Sequence, residues 1–267
     1  MQPKKKTALA LRRMKATHER IAMMTAYDAA FARALDDAGI DALLVGDSVG
    51  MAVRGESDTL SVTVEEMAYH CRMVRRAVRY AHVVCDMPFM SYQVSAEEAV
   101  RNAGLLVSKG GAESVKLEGG AEYAELVRKL TGAGIPVMGH VGLMPQRVQV
   151  SGGYKIVGRD DAGAEQVMRD ALALQEAGAF AVVLECVTED VAAAVTNKLN
   201  IPTIGIGSGK YCSGQVQVIA DLLGLQEFKP KHAKRYLEGA EIISAALKSY
   251  ADEVRNCTFP TEEHSFK

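Results

Sequence analysis

The five cysteines, Cys71, Cys85, Cys186, Cys212 and Cys257, include no CxxC pair and are odd in number. That excludes a disulfide scaffold and a cysteine zinc site. Reduced thiols in the cytoplasm are the simplest account, with Cys85 and Cys186 packing as small apolar residues. Positive charge is not in excess either: the formal net charge is −2, whereas nucleic-acid binding needs clustered Lys and Arg matched to phosphates. The one concentrated basic segment, "KKK" at residues 4–6 with "LRRMK" after it, is followed by no long apolar run. Neither a secretory signal nor a membrane anchor is therefore expected, and the segment reads as a solvated N-terminal tail. No GxGxxG follows the first apolar run and no GxxxxGK[ST] occurs, which removes the main support for a nucleotide-binding sheet. No Pro/Gly/Ser-rich tract divides the chain, so a single domain is expected.

What is present is a phrase that recurs. A helix-like segment, a glycine with small neighbours and a short apolar run appear in "LDDAGIDALLVGD", "VSKGGAESVKLEG", "LTGAGIPVMGH" and "QEAGAFAVVLEC". Each glycine suits the left-handed position that closes a helix before a strand. Thr63 with Glu66 and Ser95 with Glu98 are spaced as capping boxes at helix starts. Helices alternating with strands imply a parallel sheet. The strands are expected at residues 22–26, 42–46, 82–86, 114–117, 137–139, 181–184 and 202–206, with a weaker eighth at 215–219. Eight such units close a (β/α)8 TIM barrel, and 267 residues at 48% hydrophobic and 24% charged suit one large soluble α/β domain. Residues 1–20 read as an N-terminal extension or helix. Residues 228–267 read as a C-terminal helical tail, with Tyr236, Leu237, Ile242, Ile243, Leu247 and Tyr250 at helical spacing.

The strands end in ionisable groups. "DALLVGD" runs into Asp47, "HVVCD" into Asp86, "ESVKLE" into Lys116 and Glu118, "PVMGH" into His140 and "AVVLE" into Glu185. In a barrel all C-terminal strand ends face one mouth, where active sites are built. Asp47, Asp86 and Glu118 are oxygen ligands without a His/Cys pattern, which suits a hard divalent cation such as magnesium. Helix capping or pairing with a basic neighbour explains each acid taken singly. Lys116, on the same strand face as Glu118, suits a substrate carboxylate, a Schiff base or an ion pair. Glu185, after an apolar run, is placed for a raised pKa and a general-base role. His140 lacks a second histidine at ligand spacing and reads as a hydrogen-bonding wall residue. The glycine-rich "GIGSGKYCSG" suits a phosphate cradle or a close backbone approach to a flat ligand.

These residues resemble the ketopantoate hydroxymethyltransferase family. The likeness runs along nearly the whole chain through "MTAYDAAFA", "VGDSVGM", "DMPFMSYQ", "VKLEGG", "GHVGLMPQ", "GGYKIVGR", "LECV", "IPTIGIGSG" and "EEHSF". It implies a magnesium-dependent (β/α)8 barrel of pantothenate (coenzyme A precursor) biosynthesis. The implied enzyme moves a hydroxymethyl group from 5,10-methylenetetrahydrofolate to 3-methyl-2-oxobutanoate through a magnesium-stabilised enolate. Carried over, it makes Asp47, Asp86 and Glu118 metal ligands, places Asp47, Ser48, Asp86 and Lys116 at the substrate, and makes Glu185 the base. It implies a cytoplasmic homo-oligomer, a decamer. The chain departs from the family pattern at Met144, Ser213 and Ala220. The rival readings are a magnesium-dependent 2-oxo acid C–C lyase or aldolase of the phosphoenolpyruvate-like barrel group, and a non-catalytic barrel.

Overall fold

The computed structural model describes residues 4–153 and 155–266; Tyr154 of the "GGYKIVGR" motif lies outside them. Strands Ile21–Thr25 (β1), Ala42–Val45 (β2), His82–Asp86 (β3), Ser114–Glu118 (β4), Val137–Gly142 (β5), Ala181–Glu185 (β6), Thr203–Ile206 (β7) and Gly214–Gln217 (β8) pair in that order. All neighbours are parallel, and β8 closes the (β/α)8 barrel against β1 with Ile21 opposite Gly214. Helices Ala8–Ala16 (α1), Ala29–Asp37 (α2), Val49–Ala52 (α3), Val64–Ala77 (α4), Ala96–Leu105 (α5), Ala124–Gly132 (α6), Val148–Ser151 (α7), Asp161–Glu176 (α8) and Glu189–Lys198 (α9) accompany them.

The recurring glycine does what its position required. Gly39, Gly111, Gly134 and Gly178 all have positive φ, between 77° and 100°, each just before a strand. Thr63 forms the full capping box with Glu66 at the start of α4, and Ser95 accepts from the Glu98 amide at the start of α5. β5 runs three residues beyond its expected end at Gly139. A glycine there reads as a strand breaker, but a Cβ would come within 2.7 Å of Leu174 Cδ1, so Gly139 is where α8 packs closely on the barrel.

The barrel interior is filled by Met23, Leu44, Val84, Met138, Val183, Ile204 and Val216. Leu11 and Met14 of α1 join this cluster beside Ile21, Ala42 and Phe180 at the strand starts, so α1 closes the floor. The basic N-terminal segment is accordingly not a solvated tail. Lys5 Nζ pairs with Glu113 at 2.7 Å, Lys6 Nζ with Asp41 at 3.2 Å, and the Lys6 amide donates to Tyr80 O. Carboxylates and carbonyls at the strand starts give these lysines partners that a composition-based reading could not see.

The connection from β7 to β8 holds no helix. It runs back along β7, with Cys212 Sγ 2.9 Å from where a Cβ on Gly205 would lie, and Gln215 Nε2 donates to Gly209 O. Ser208 Oγ donates to Leu184 O and accepts from the Val187 amide, which ties this glycine-rich segment to the wall. Ser213 exchanges bonds with Thr203 at the start of β7, at the opposite strand ends from Glu185.

The chain divides into two compact units, the barrel to Val218 and a second unit from Ile219. The second carries Ile219–Leu222 (α10), where Ala220 is buried, and Gly239–Arg255 (α11). Along α11, Ile242, Ile243, Leu247, Tyr250 and Val254 are exposed. No helix among the described residues is long and apolar enough to cross a membrane.

Candidate active site

Asp86 is the last residue of β3, Lys116 and Glu118 lie on β4, His140 on β5 and Glu185 at the end of β6, while Asp47 and Ser48 follow β2. Parallel strands bring all of them to one end of the barrel. The β2 end is shaped by Gly46: a Cβ there would fall 2.6 Å from Ser48 Oγ and 3.4 Å from Asp86 Oδ2. With glycine in place, the Asp47 amide donates to Asp86 Oδ2 at 3.1 Å. Ser48 Oγ, half-buried, lies 2.9 Å from Tyr27 OH.

Lys116 and His140 form the centre. Lys116 Nζ is 3.0 Å from Asp86 Oδ1 and 3.3 Å from His140 Nδ1. On its other side His140 Nε2 lies 2.8 Å from Leu143 O and 3.4 Å from Glu185 Oε2. Donation from Nε2 to the Leu143 carbonyl fixes the tautomer, so Nδ1 offers a lone pair to the lysine. His140 is therefore the bonded wall residue that its isolation in the sequence suggested.

Burial sets the electrostatics. It pushes Asp47 up to about 7, with Asp86 adding to the rise and Lys116 and Gln146 opposing it. Glu118 is raised well above the carboxylate range by burial and by Asp47. Glu185, at the rim with 18% of its side chain exposed, is raised by burial to about 8. Burial and the Lys116 charge hold His140 well below the usual imidazole range, so it is neutral. Lys116 behaves in the opposite sense: burial disfavours its charge, but Asp86, Glu118 and Asp47 outweigh that and raise it.

Three acids, Asp47, Asp86 and Glu118, thus surround one lysine, and the surplus negative charge is what a divalent cation would relieve. Asp86 Oδ1 is buried, and among the described residues its partner is the Lys116 ammonium at 3.0 Å. Asp47 and Asp86 adjoin through the Asp47 amide, which suits a cation that takes one or two carboxylates and completes its shell with water. No group of three or more His, Cys, Asp or Glu among the described residues stands ready as a metal cage. The residue linking Glu118 to Asp47 is Gln146, whose amide donates to Glu118 Oε2 and whose side chain donates to Asp47 Oδ2.

Gln146 and Tyr92 are the site residues that sequence reasoning missed. Tyr92 OH lies 3.0 Å from Glu118 O and 2.8 Å from Gln146 Oε1. Both stand inside the motifs "DMPFMSYQ" and "GHVGLMPQ", but neither is an acid or base at a strand end, the signal that marks the other site residues. Met144 precedes the short turn Pro145–Arg147 and gives it no side-chain cap, so the Gln146 amide is satisfied by Glu118 instead.

The model of the family described as ketopantoate hydroxymethyltransferase matches residues 5–262. A 3-methyl-2-oxobutanoate hydroxymethyltransferase of Pelobacter propionicus is 53% identical over 264 residues, 98% of each chain. Its counterpart in Geobacter sulfurreducens is 52% identical over 262 residues, again 98% of each. Among solved structures, phosphonopyruvate hydrolase in complex with oxalate and Mg++ superposes with a TM-score of 0.64 at 13% identity, covering 97% of this chain and 93% of that one. The 2,3-dimethylmalate lyase of the PEP mutase/isocitrate lyase superfamily gives 0.61 at 18% identity, covering 98% and 93%. At such identity these two speak to the fold alone, while a match from one end of the barrel to the other at half identity settles the lineage. The chain belongs to the ketopantoate hydroxymethyltransferase family.

Proposed function

We propose that the chain transfers a hydroxymethyl group from 5,10-methylenetetrahydrofolate to 3-methyl-2-oxobutanoate, forming ketopantoate for pantothenate biosynthesis. The observation that carries this reading is the buried layer of Asp47, Asp86, Lys116, Glu118 and His140 beneath a rim glutamate, in a chain of this family. Asp47 and Asp86 would hold Mg²⁺, with Glu118 completing its surroundings. The bound cation would supply Lewis-acid polarisation of the keto group and stabilise the negative charge that develops there.

The chain's own residues do the rest. Lys116, already cationic among three acids, would bind the substrate carboxylate, and Ser48, oriented by Tyr27 OH, would donate to it. Glu185 would take the C3 proton at its carboxylate. Neutral His140 beside it leaves that carboxylate basic, where an imidazolium would suppress its proton affinity. The resulting C3 carbanion attacks the folate-borne methylene carbon: a C–C bond forms, both bonds from that carbon to the folate nitrogens break, and water supplies the hydroxyl oxygen, so that tetrahydrofolate leaves with one proton from water and with the C3 proton passed on by Glu185.

The five cysteines are all free, in keeping with a cytoplasmic enzyme. The exposed apolar stripe of α11 and the family likeness support a homo-oligomer, a decamer. The direct test is ketopantoate formation from 3-methyl-2-oxobutanoate with and without Mg²⁺ and methylenetetrahydrofolate. Cleavage of another 2-oxo acid with no tetrahydrofolate present would instead establish the lyase reading.

A further inference from the structure

Gln146 carries no charge, yet it is bonded to two of the buried carboxylates. It is 4% exposed, in the turn Pro145–Arg147 that follows β5. Its backbone N–H donates to Glu118 Oε2 at 3.0 Å. Its side-chain Nε2 donates to Asp47 Oδ2 at 2.8 Å and to Met87 O at 3.0 Å. Its Oε1 accepts from Tyr92 OH at 2.8 Å and from Gln93 Nε2 at 3.2 Å. Both amide hydrogens and both lone pairs are therefore used, the full capacity of the group.

The surroundings also fix which way the amide points. Turned over, it would set its carbonyl against the Met87 carbonyl and the Asp47 carboxylate, and its NH₂ against the Gln93 donor. A saturated, unflippable amide in a buried site has one geometry and transmits it to whatever it holds. Asp47 is held by its side chain and Glu118 by its main chain, so one residue fixes the spacing of two acids that would otherwise repel each other. A lysine in that place would neutralise the pair and compete with a cation; a neutral amide restrains the carboxylates and leaves their charge available.

We propose that Gln146 is a positioning residue that aims Asp47 and Glu118 at the divalent cation, with Tyr92 and Gln93 locking the amide that does so. This rests on the reading of Asp47 and Asp86 as cation ligands. Partners that orient metal-binding side chains typically contribute 10–100-fold in metal affinity. Gln146→Met keeps the length and the backbone donor to Glu118 but removes the bond to Asp47.

The test is calorimetric titration of Mn²⁺, and of 3-methyl-2-oxobutanoate with and without Mg²⁺, into the unmutated protein and Gln146→Met, with thermal midpoints measured alongside. The expected result is a loss of roughly 10- to 100-fold in Mn²⁺ affinity and in Mg²⁺-dependent keto-acid affinity, with a smaller loss in the rate at saturation. Tyr92→Phe removes a donor to Oε1 together with the hydroxyl's bonds to the Glu118 main chain and should shift the affinity in the same direction; Gln93→Leu, which removes the other donor to Oε1, should do so by less and serves as the probe should Gln146→Met fold poorly. A lowered thermal midpoint with unmutated affinities would make Gln146 a structural residue and overturn the proposal while leaving the cation reading intact. Keto-acid binding by the unmutated protein that is indifferent to Mg²⁺ would overturn both.

Discussion

Glu185 Oε2 lies 3.4 Å from Nε2 of His140, a histidine whose other nitrogen meets Lys116 Nζ. The imidazole separates the rim glutamate from the buried lysine. Lys116 pairs with Asp86 and lowers the Glu185 value only in part, so that burial still leaves Glu185 the raised proton affinity that a base at carbon requires.

Glu185→Gln preserves size and shape but cannot accept a proton. It is expected to bind Mg²⁺ and keto acid nearly as before while losing on the order of a hundred- to ten-thousand-fold in rate. Exchange of the substrate's C3 hydrogen with solvent deuterium, followed by NMR without folate, isolates the step. Exchange at the unmutated rate would transfer the role of base to another group.

Asp47→Ala and Asp86→Ala each remove an anion at a strand end and leave the apolar barrel core untouched. Both should keep a cooperative thermal transition and lose Mg²⁺-dependent binding of 3-methyl-2-oxobutanoate. Calorimetry giving an unchanged affinity in the presence of Mg²⁺ would remove that aspartate from the metal site.

Lys116→Ala should weaken keto-acid binding yet retain metal binding, because the lysine neutralises Asp86 without being a ligand itself. If metal affinity vanished with the lysine, its task would be to hold Asp86 in place.

The raised acids also predict how stability depends on pH. Between their unfolded values and about 7 for Asp47 or about 8 for Glu185, the folded protein binds more protons than the unfolded chain, so stability falls as pH rises. His82, held near 4 by burial, has the opposite effect only below its ordinary value of 6.5. Metal-free protein should therefore show a falling thermal midpoint from pH 6.5 to 8.5, less steep in Asp47→Asn and countered by Mg²⁺. A flat or rising midpoint in chelator would show that these acids ionise without cost.

On α11, Ile242, Ile243, Leu247 and Tyr250 present an apolar stripe to solvent. Light scattering at micromolar concentration should give a multiple of the 28.7 kDa chain mass, and Leu247→Asp should lower it. A monomeric mass for the unmutated chain would end the oligomer proposal.

The barrel was legible because its signals are local and repeated: glycine caps, the Thr63 capping box and apolar runs that stop at a charged residue. Strand ends were legible for the same reason, since topology alone sends Asp47, Asp86, Glu118 and Glu185 to one mouth. The roles of Gln146 and Tyr92 were not, because they depend on which loops cross above the mouth, and a neutral amide has no spacing rule to betray it. The grip of Lys5 on Glu113 was hidden likewise, being a contact between residues far apart in sequence. The absence of a helix between β7 and β8 escaped notice because the glycines there read as a ligand loop as readily as a plain return.

Leu11 and Met14 cover the strand-start end of the barrel with apolar side chains, so the ionisable groups stand at the opposite end. On the proposed function, two reactants of unequal size would both have to come in at that end. A small keto acid seated at Lys116 would be roofed by the larger carbon donor, so arrival would be ordered, with the small partner first in and its product last out.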